Sequence, residues 1–160
     1  MVKLGYTGLA IPETYGGTEG EFWDLLIFME EMGRNIVPSP FFQTAVCGAL
    51  SILNFGSDAQ KEAWLPKIAE KGTIWTLART EAPSREVTAT AEGEDFILDG
   101  AKVFVPYARI ADMLLVSSRT EATGDITLLA VETDREGINM SLIPTSIHDG
   151  RCEIIFDRVR

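Results

Sequence analysis

Gly72-Thr73-Ile74-Trp75-Thr76-Leu77-Ala78-Arg79 is where the chain changes rhythm. Before Gly72 the apolar residues recur at three- and four-residue intervals, as on one face of a helix. After it they alternate, as on a pleated strand. This single switch predicts an α+β chain: a helical segment over residues 1–72, then an antiparallel β-barrel or sandwich over 73–160.

Upstream, Thr18 with Glu21 has the form of a capping box, and Phe22, Leu25, Leu26, Met29 and Met32 follow at helix spacing until Gly33 and Pro38. A second helix is expected from Ser39, with Pro40 in the first turn, where a missing N–H costs nothing. It runs through Phe41, Ala45, Ala49, Ile52 and Leu53 to a stop at Gly56. Being apolar nearly all round, it should be buried on most sides. Ser57 and Gln60 make another capping box for a third helix ending at Gly72, which Pro66 should kink or shorten.

Downstream, eight short strands are predicted: 73–79, 87–91, 95–98, 101–105, 113–118, 126–132, 138–142 and 153–156. Asp99-Gly100, between the third and fourth, is a strong hairpin signal, because a type I′ turn needs positive φ at both central residues. Strands at this spacing suit a sandwich or barrel.

Composition removes several function classes. With 14 Lys+Arg against 24 Asp+Glu the formal charge is −10, and no basic cluster is present to neutralise phosphates, so nucleic acid is not an expected partner. Anionic membrane surfaces are disfavoured for the same reason. The most apolar later stretch, Thr44 to Phe55, falls short of the roughly 20 residues that cross a bilayer. The leading segment is interrupted by Pro12 too soon for a signal peptide. Cys47 and Cys152 are expected as reduced thiols of a soluble, cytoplasmic protein. One histidine, His148, leaves no set of imidazoles for a metal, and none is expected.

Several stretches, in order and in register, resemble the acyl-CoA dehydrogenase family. Leu4 to Gly17 (LGYTGLAIPETYGG) resembles its LG-x-x-GL-x-x-PE-x-YGG segment. Phe55 to Ala69 resembles GT-x-EQK-x-x-(W/Y)LP-x-(I/L)A. Thr80-Glu81-Ala82-Pro83 resembles its TEP turn, and Leu98 to Val105 resembles L-(N/D)-G-x-K-x-(W/F)-(I/V). Ala111-Asp112 and Phe156 to Arg160 match an AD pair and F-(D/E)-x-VR. The resemblance implies part of an N-terminal helical domain over 1–72 and a middle β-domain over 73–160, with a C-terminal helical domain absent. It also implies FAD as cofactor, an acyl-CoA thioester as substrate and α,β-dehydrogenation as the reaction. An electron-transfer flavoprotein would serve as oxidant, and the full-length form would be a homo- or hetero-oligomer.

The same resemblance assigns roles. Thr80 matches the residue that meets the flavin pyrimidine edge, Leu77 and Arg79 line the ring, and Phe104 packs against the isoalloxazine. On pattern alone Thr80 reads as a β-strand threonine at a turn and Phe104 as core. Two departures stand out. Pro106 replaces a Thr or Ser that hydrogen-bonds the flavin N5, and proline has no N–H to donate. The loop Thr80 to Glu86 (TEAPSRE) contains no glycine, leaves Ser84 as the hydroxyl toward pyrophosphate or substrate, and adds the charge of Glu86. No catalytic base is assigned within the chain: Glu30 and Glu31 read as a solvated helix face and Glu81 as part of a turn. The departures also suit a second reading, a flavin-poor, non-catalytic partner subunit. A third is a free-standing β-domain for another ligand.

Overall fold

The computed structural model of the chain describes residues 2–146 and 150–160, so His148 lies outside the described residues. Two compact units are present, Met1–Trp75 and Thr76–Arg160.

In the first unit, short 3-10 turns lead to helix α1, Phe22–Arg34. Its N-terminus is capped three residues later than the sequence suggests, at Glu21 rather than Thr18. The Glu21 N–H donates to Asp24 Oδ2 at 2.8 Å, while Thr18 Oγ1 turns back to Leu9 O at 3.3 Å. Gly33 lies inside the helix rather than closing it, and the chain leaves through Ile36 at φ 49.

The second helical stretch begins beside Ser39, whose Oγ accepts the Phe41 N–H at 3.2 Å. It is wound as a π-helix over Gln43–Leu50 and continues as α2, Ser51–Phe55. The wider π turn leaves Thr44, Ala45, Gly48 and Ala49 all buried. Burial is one-sided at the ends, because Phe41 is enclosed while Phe42 and Phe55 are exposed. Thr44 is a satisfied buried hydroxyl: its Oγ1 accepts the Trp75 N–H at 3.1 Å and donates to Trp75 O at 3.2 Å.

The Ser57–Gln60 capping box of α3, Asp58–Pro66, is reciprocal, with Gln60 N–H to Ser57 Oγ at 3.3 Å and Ser57 N–H to Gln60 Oε1 at 2.9 Å. Pro66 is the last residue of α3, and the winding changes there without the chain ceasing to be helical. A π turn, Lys67–Lys71, follows it and stops at Gly72, φ 71. Leu25, Phe41 and Ala45 form one core of this unit, with Phe28, Met29 and Met32 packed against it. Among the described residues no helix is long and apolar enough to cross a membrane.

The strands form one sheet: β1 Trp75–Ala78, β2 Thr88–Glu92, β3 Asp95–Val105, β4 Met113–Thr120, β5 Ile126–Glu132, β6 Ile138–Leu142 and β7 Cys152–Val159. Their order is β1-β4-β2-β3-β7-β6, with β5 added on β4. All pairings with a resolved register are antiparallel except β2 with β4, which is parallel at Thr88↔Arg119 and Ala89↔Thr120. Leu98, Val105, Leu114, Val116, Ile154, Phe156 and Val159 bury their side chains in its core.

Eight expected strands become seven for a definite reason. Asp99-Gly100 is not a hairpin turn; the real two-residue turn is Gly93-Glu94, between the paired Glu92 and Asp95. Only Gly100 of the expected pair has positive φ, 138°, so no type I′ turn forms and β3 runs straight through it. The glycine answers a different need. A Cβ there would lie 2.5 Å from Glu86 O and 2.6 Å from Val87 Cα, so the chain entering β2 crosses where only hydrogen fits.

Two substitutions separate these glycines. Gly100→Ala should destabilise by about 2–4 kcal/mol through clash and backbone strain. Gly33→Ala, which meets nothing within 4 Å, should stabilise by about 0.5–1 kcal/mol by helix propensity. Urea unfolding midpoints measure both, and an unmoved midpoint for Gly100→Ala would refute the close-approach account.

Candidate functional site

The residues singled out from sequence lie on adjoining segments of the second unit. The chain leaving β1 runs antiparallel to the end of β3. The Val103 N–H donates to Thr80 O at 2.9 Å, the Ala82 N–H donates to Ala101 O at 3.1 Å, and Glu81 faces Lys102 in an isolated bridge. Beyond it Thr76 Oγ1 donates to Pro106 O at 2.6 Å. Leu77, Arg79, Thr80, Phe104 and Pro106 are thus gathered at one end of β3. Ser84 is set apart, at φ 63 in the tip of a turn closed by the Arg85 N–H to Ala82 O at 3.1 Å.

Phe104 is not a core residue. Between Lys102↔Ile154 and Val105↔Cys152, β3 spends three residues while β7 spends two, so an extra residue bulges from the ladder. Phe104 takes up that bulge at φ 56 and is 48% exposed, between half-buried Val103 and buried Val105. A non-glycine residue held at positive φ costs about 1–3 kcal/mol, and such strain concentrates at ligand sites. Bulges likewise re-aim side chains beside binding sites. Tyr107, φ 55, repeats the conformation three residues on. Arg79, Thr80 and Phe104 are all exposed, a cation, a hydroxyl and an aromatic ring carried on neighbouring segments.

The carboxylates near it are engaged elsewhere. Glu86 accepts Arg119 Nε at 2.9 Å, so the charge at the loop is paired. Glu81 Oε2 accepts the Val87 N–H at 3.1 Å, and its other oxygen accepts Lys102 Nζ. In the first unit Glu30 and Glu31 both pair with Arg34 on the exposed face of α1. None of these has the free carboxylate that a base needs.

Lys102 is the motif lysine to which the sequence assigns no role. Its side chain is fully buried, and Nζ donates to Glu81, to Ser117 Oγ at 3.0 Å and to Arg79 O at 3.3 Å. Three acceptors for three ammonium protons is the condition under which a buried charge is tolerable. Its signal in the sequence is the lysine of the L-(N/D)-G-x-K-x-(W/F)-(I/V) motif, set between apolar Ala101 and Val103.

Two thiols complete the electrostatics. Burial pushes the Cys152 thiol above its ordinary range, opposed in part by the positive charge and a backbone hydrogen bond of Arg109. Burial alone raises Cys47. Both are free and neither is set up as a nucleophile. Among the described residues no three His, Cys, Asp or Glu side chains converge as a metal would require. The first unit holds an apolar pocket of about 180 Å³ lined by Thr7, Pro40, Phe41, Thr44, Ala45 and Ile74.

The chain thus has a helical unit followed by a sheet unit, with an exposed aromatic residue on a bulge of the sheet. Residues 1–72 match the N-terminal domain of acyl-CoA dehydrogenases, and residues 70–159 match their middle domain. The chain belongs to the acyl-CoA dehydrogenase family. It is 34% identical to the acyl-CoA dehydrogenase FadE12 of Mycobacterium tuberculosis over 99% of this chain and 44% of that protein. The ChsE4-ChsE5 complex from Mycobacterium tuberculosis contains a chain of the same fold, with TM-score 0.87 and 26% identity over 100% of this chain and 45% of that one. The fold is also that of an acyl-CoA dehydrogenase from Bacillus anthracis complexed with FAD, with TM-score 0.87 and 23% identity over 99% of this chain and 29% of that one. The chain therefore spans less than half the length of these relatives.

The Lys102 cluster predicts an asymmetry. Glu81→Leu strands a fully buried ammonium and should cost about 3 kcal/mol or more. Lys102→Met strands only a carboxylate that is 38% exposed and should cost about 1 kcal/mol, since a buried pair is replaceable by apolar volume. Chemical denaturation of the two variants checks the order, and equal losses would contradict it.

Proposed function

We propose that this chain carries the flavin platform of an acyl-CoA dehydrogenase that introduces an α,β double bond into an acyl-CoA thioester, with FAD as cofactor. The observation that carries the reading is Phe104, presented to solvent on a strained bulge beside Thr80. The residues present fit a flat heteroaromatic ring: Phe104 would pack against its face, and Leu77 and Arg79 would line it. Thr80 would offer a hydroxyl to its polar edge. When bound, FAD supplies the hydride acceptor. The chain's own contribution is to hold and orient, and to keep its nearby carboxylates neutralised by Lys102 and Arg119. None of Glu30, Glu31 and Glu81 is proposed as the base that takes the α-proton, since each is paired with a cation. The setting is cytoplasmic, with electron-transfer flavoprotein as the oxidant.

Pro106 favours a second reading, a partner subunit that has given up flavin within a hetero-oligomer. It offers no N–H where a donor is expected, and Ser84 is turned into a separate loop. The structural likeness to a chain of the two-component ChsE4-ChsE5 complex supports it.

Visible absorbance of the purified full-length protein decides between the two. The first reading expects a yellow chromophore at one equivalent per chain, and Phe104→Ala should weaken FAD binding about tenfold, the usual worth of an aromatic packing face. A colourless protein that gains flavin on Pro106→Thr would establish the second reading. A Phe104→Ala variant with unchanged affinity would remove the platform from both.

A further inference from the structure

We infer that Lys102 is the positioning residue of the flavin platform, acting on both of its halves through one buried ammonium; the inference rests on the flavin reading above. The geometry is specific. Nζ donates to Arg79 O on one side of Thr80 and to the Glu81 carboxylate on the other. Thr80 is therefore straddled, with its own carbonyl accepting the N–H of Val103, the residue after Lys102. The same lysine is the last paired residue of β3 before the bulge that turns out Phe104. The third partner, Ser117 Oγ, brings in β4 and donates in turn to Arg79 O at 3.3 Å.

One side chain thus fixes the spacing between the polar border and the aromatic centre. A purely structural lysine would need acceptors but not these acceptors. Arg79 O and Glu81 flank Thr80, an exposed residue, and the strained Phe104 requires surroundings that over-determine its backbone. Lys102 does not touch the platform's ligand. It acts through Thr80 and Phe104, as supporting groups do for residues that contact a ligand.

The test compares full-length wild type with Lys102→Met and Lys102→Arg. It reads the FAD dissociation constant, the visible absorption band of the bound flavin and the melting temperature of the flavin-free protein. We expect Lys102→Met to weaken FAD binding more than tenfold and to shift or blur the flavin band. Lys102→Arg should recover part of both, and the melting temperatures of the flavin-free variants should not follow that order. Wild-type affinity and band shape in Lys102→Met would overturn the inference while leaving the flavin reading intact. A wild type that binds no FAD would remove both. Should Lys102→Met fail to fold, Ser117→Ala takes its place. It removes one acceptor of the cluster and is expected to weaken FAD several-fold; an unchanged dissociation constant there overturns the inference equally.

Discussion

A lysine ammonium with no exposure to water governs the second half of this chain. Removing such a group from solvent is costly unless each proton finds an acceptor, and the acceptors of Lys102 come from the segment after β1 and from β4. Satisfying them locks three stretches, 79–82, β3 and β4, into one arrangement. The apolar residues supply the driving force for collapse, with Leu98, Leu114, Val116 and Phe156 in the sheet core. That force is non-directional and would accept several registers; the polar cluster accepts one. Division of labour between apolar burial and a satisfied polar network is how a core becomes specific as well as stable.

The helices were legible in the sequence because their signals are local. Ser57 and Gln60 lie three apart and bond to each other as expected, and the apolar stripe from Phe22 to Met32 needs no knowledge of distant residues. Legibility failed where one residue type serves two physical needs. Gly100 follows an aspartate, as in a turn, yet is glycine because residues 86 and 87 pass against it. Gly33 resembles a stop but is a tolerated interior residue. The parallel contact of β2 with β4 was also hidden, since alternation marks a strand but not the direction of its neighbour.

The residues proposed for the site were named from the sequence, but their exposure and backbone geometry were not legible there. Alternation places Phe104 on a strand, and the extra residue that turns it outward comes from the mismatch with β7, some fifty residues later. The role of Lys102 was hidden for the same reason: its partners Glu81 and Ser117 are distant in sequence. Pro106, by contrast, keeps in the fold the meaning it has in the sequence. Its carbonyl is occupied by Thr76 Oγ1 and it has no donor.

The order of strands bears on how the protein is made. β3 lies between β2 and β7, and β7 is the latest of the seven to be synthesised. While the ribosome is still producing residues 106–151, one side of β3 has no partner, and the side chains that Ile154, Phe156 and Val159 will cover stand open. Such an unpaired strand is a template for wrong pairing until its neighbour arrives. A nascent chain of this architecture thus has a window of vulnerability during translation that closes only with β7, and a holdase acting at the tunnel exit would protect it in that interval.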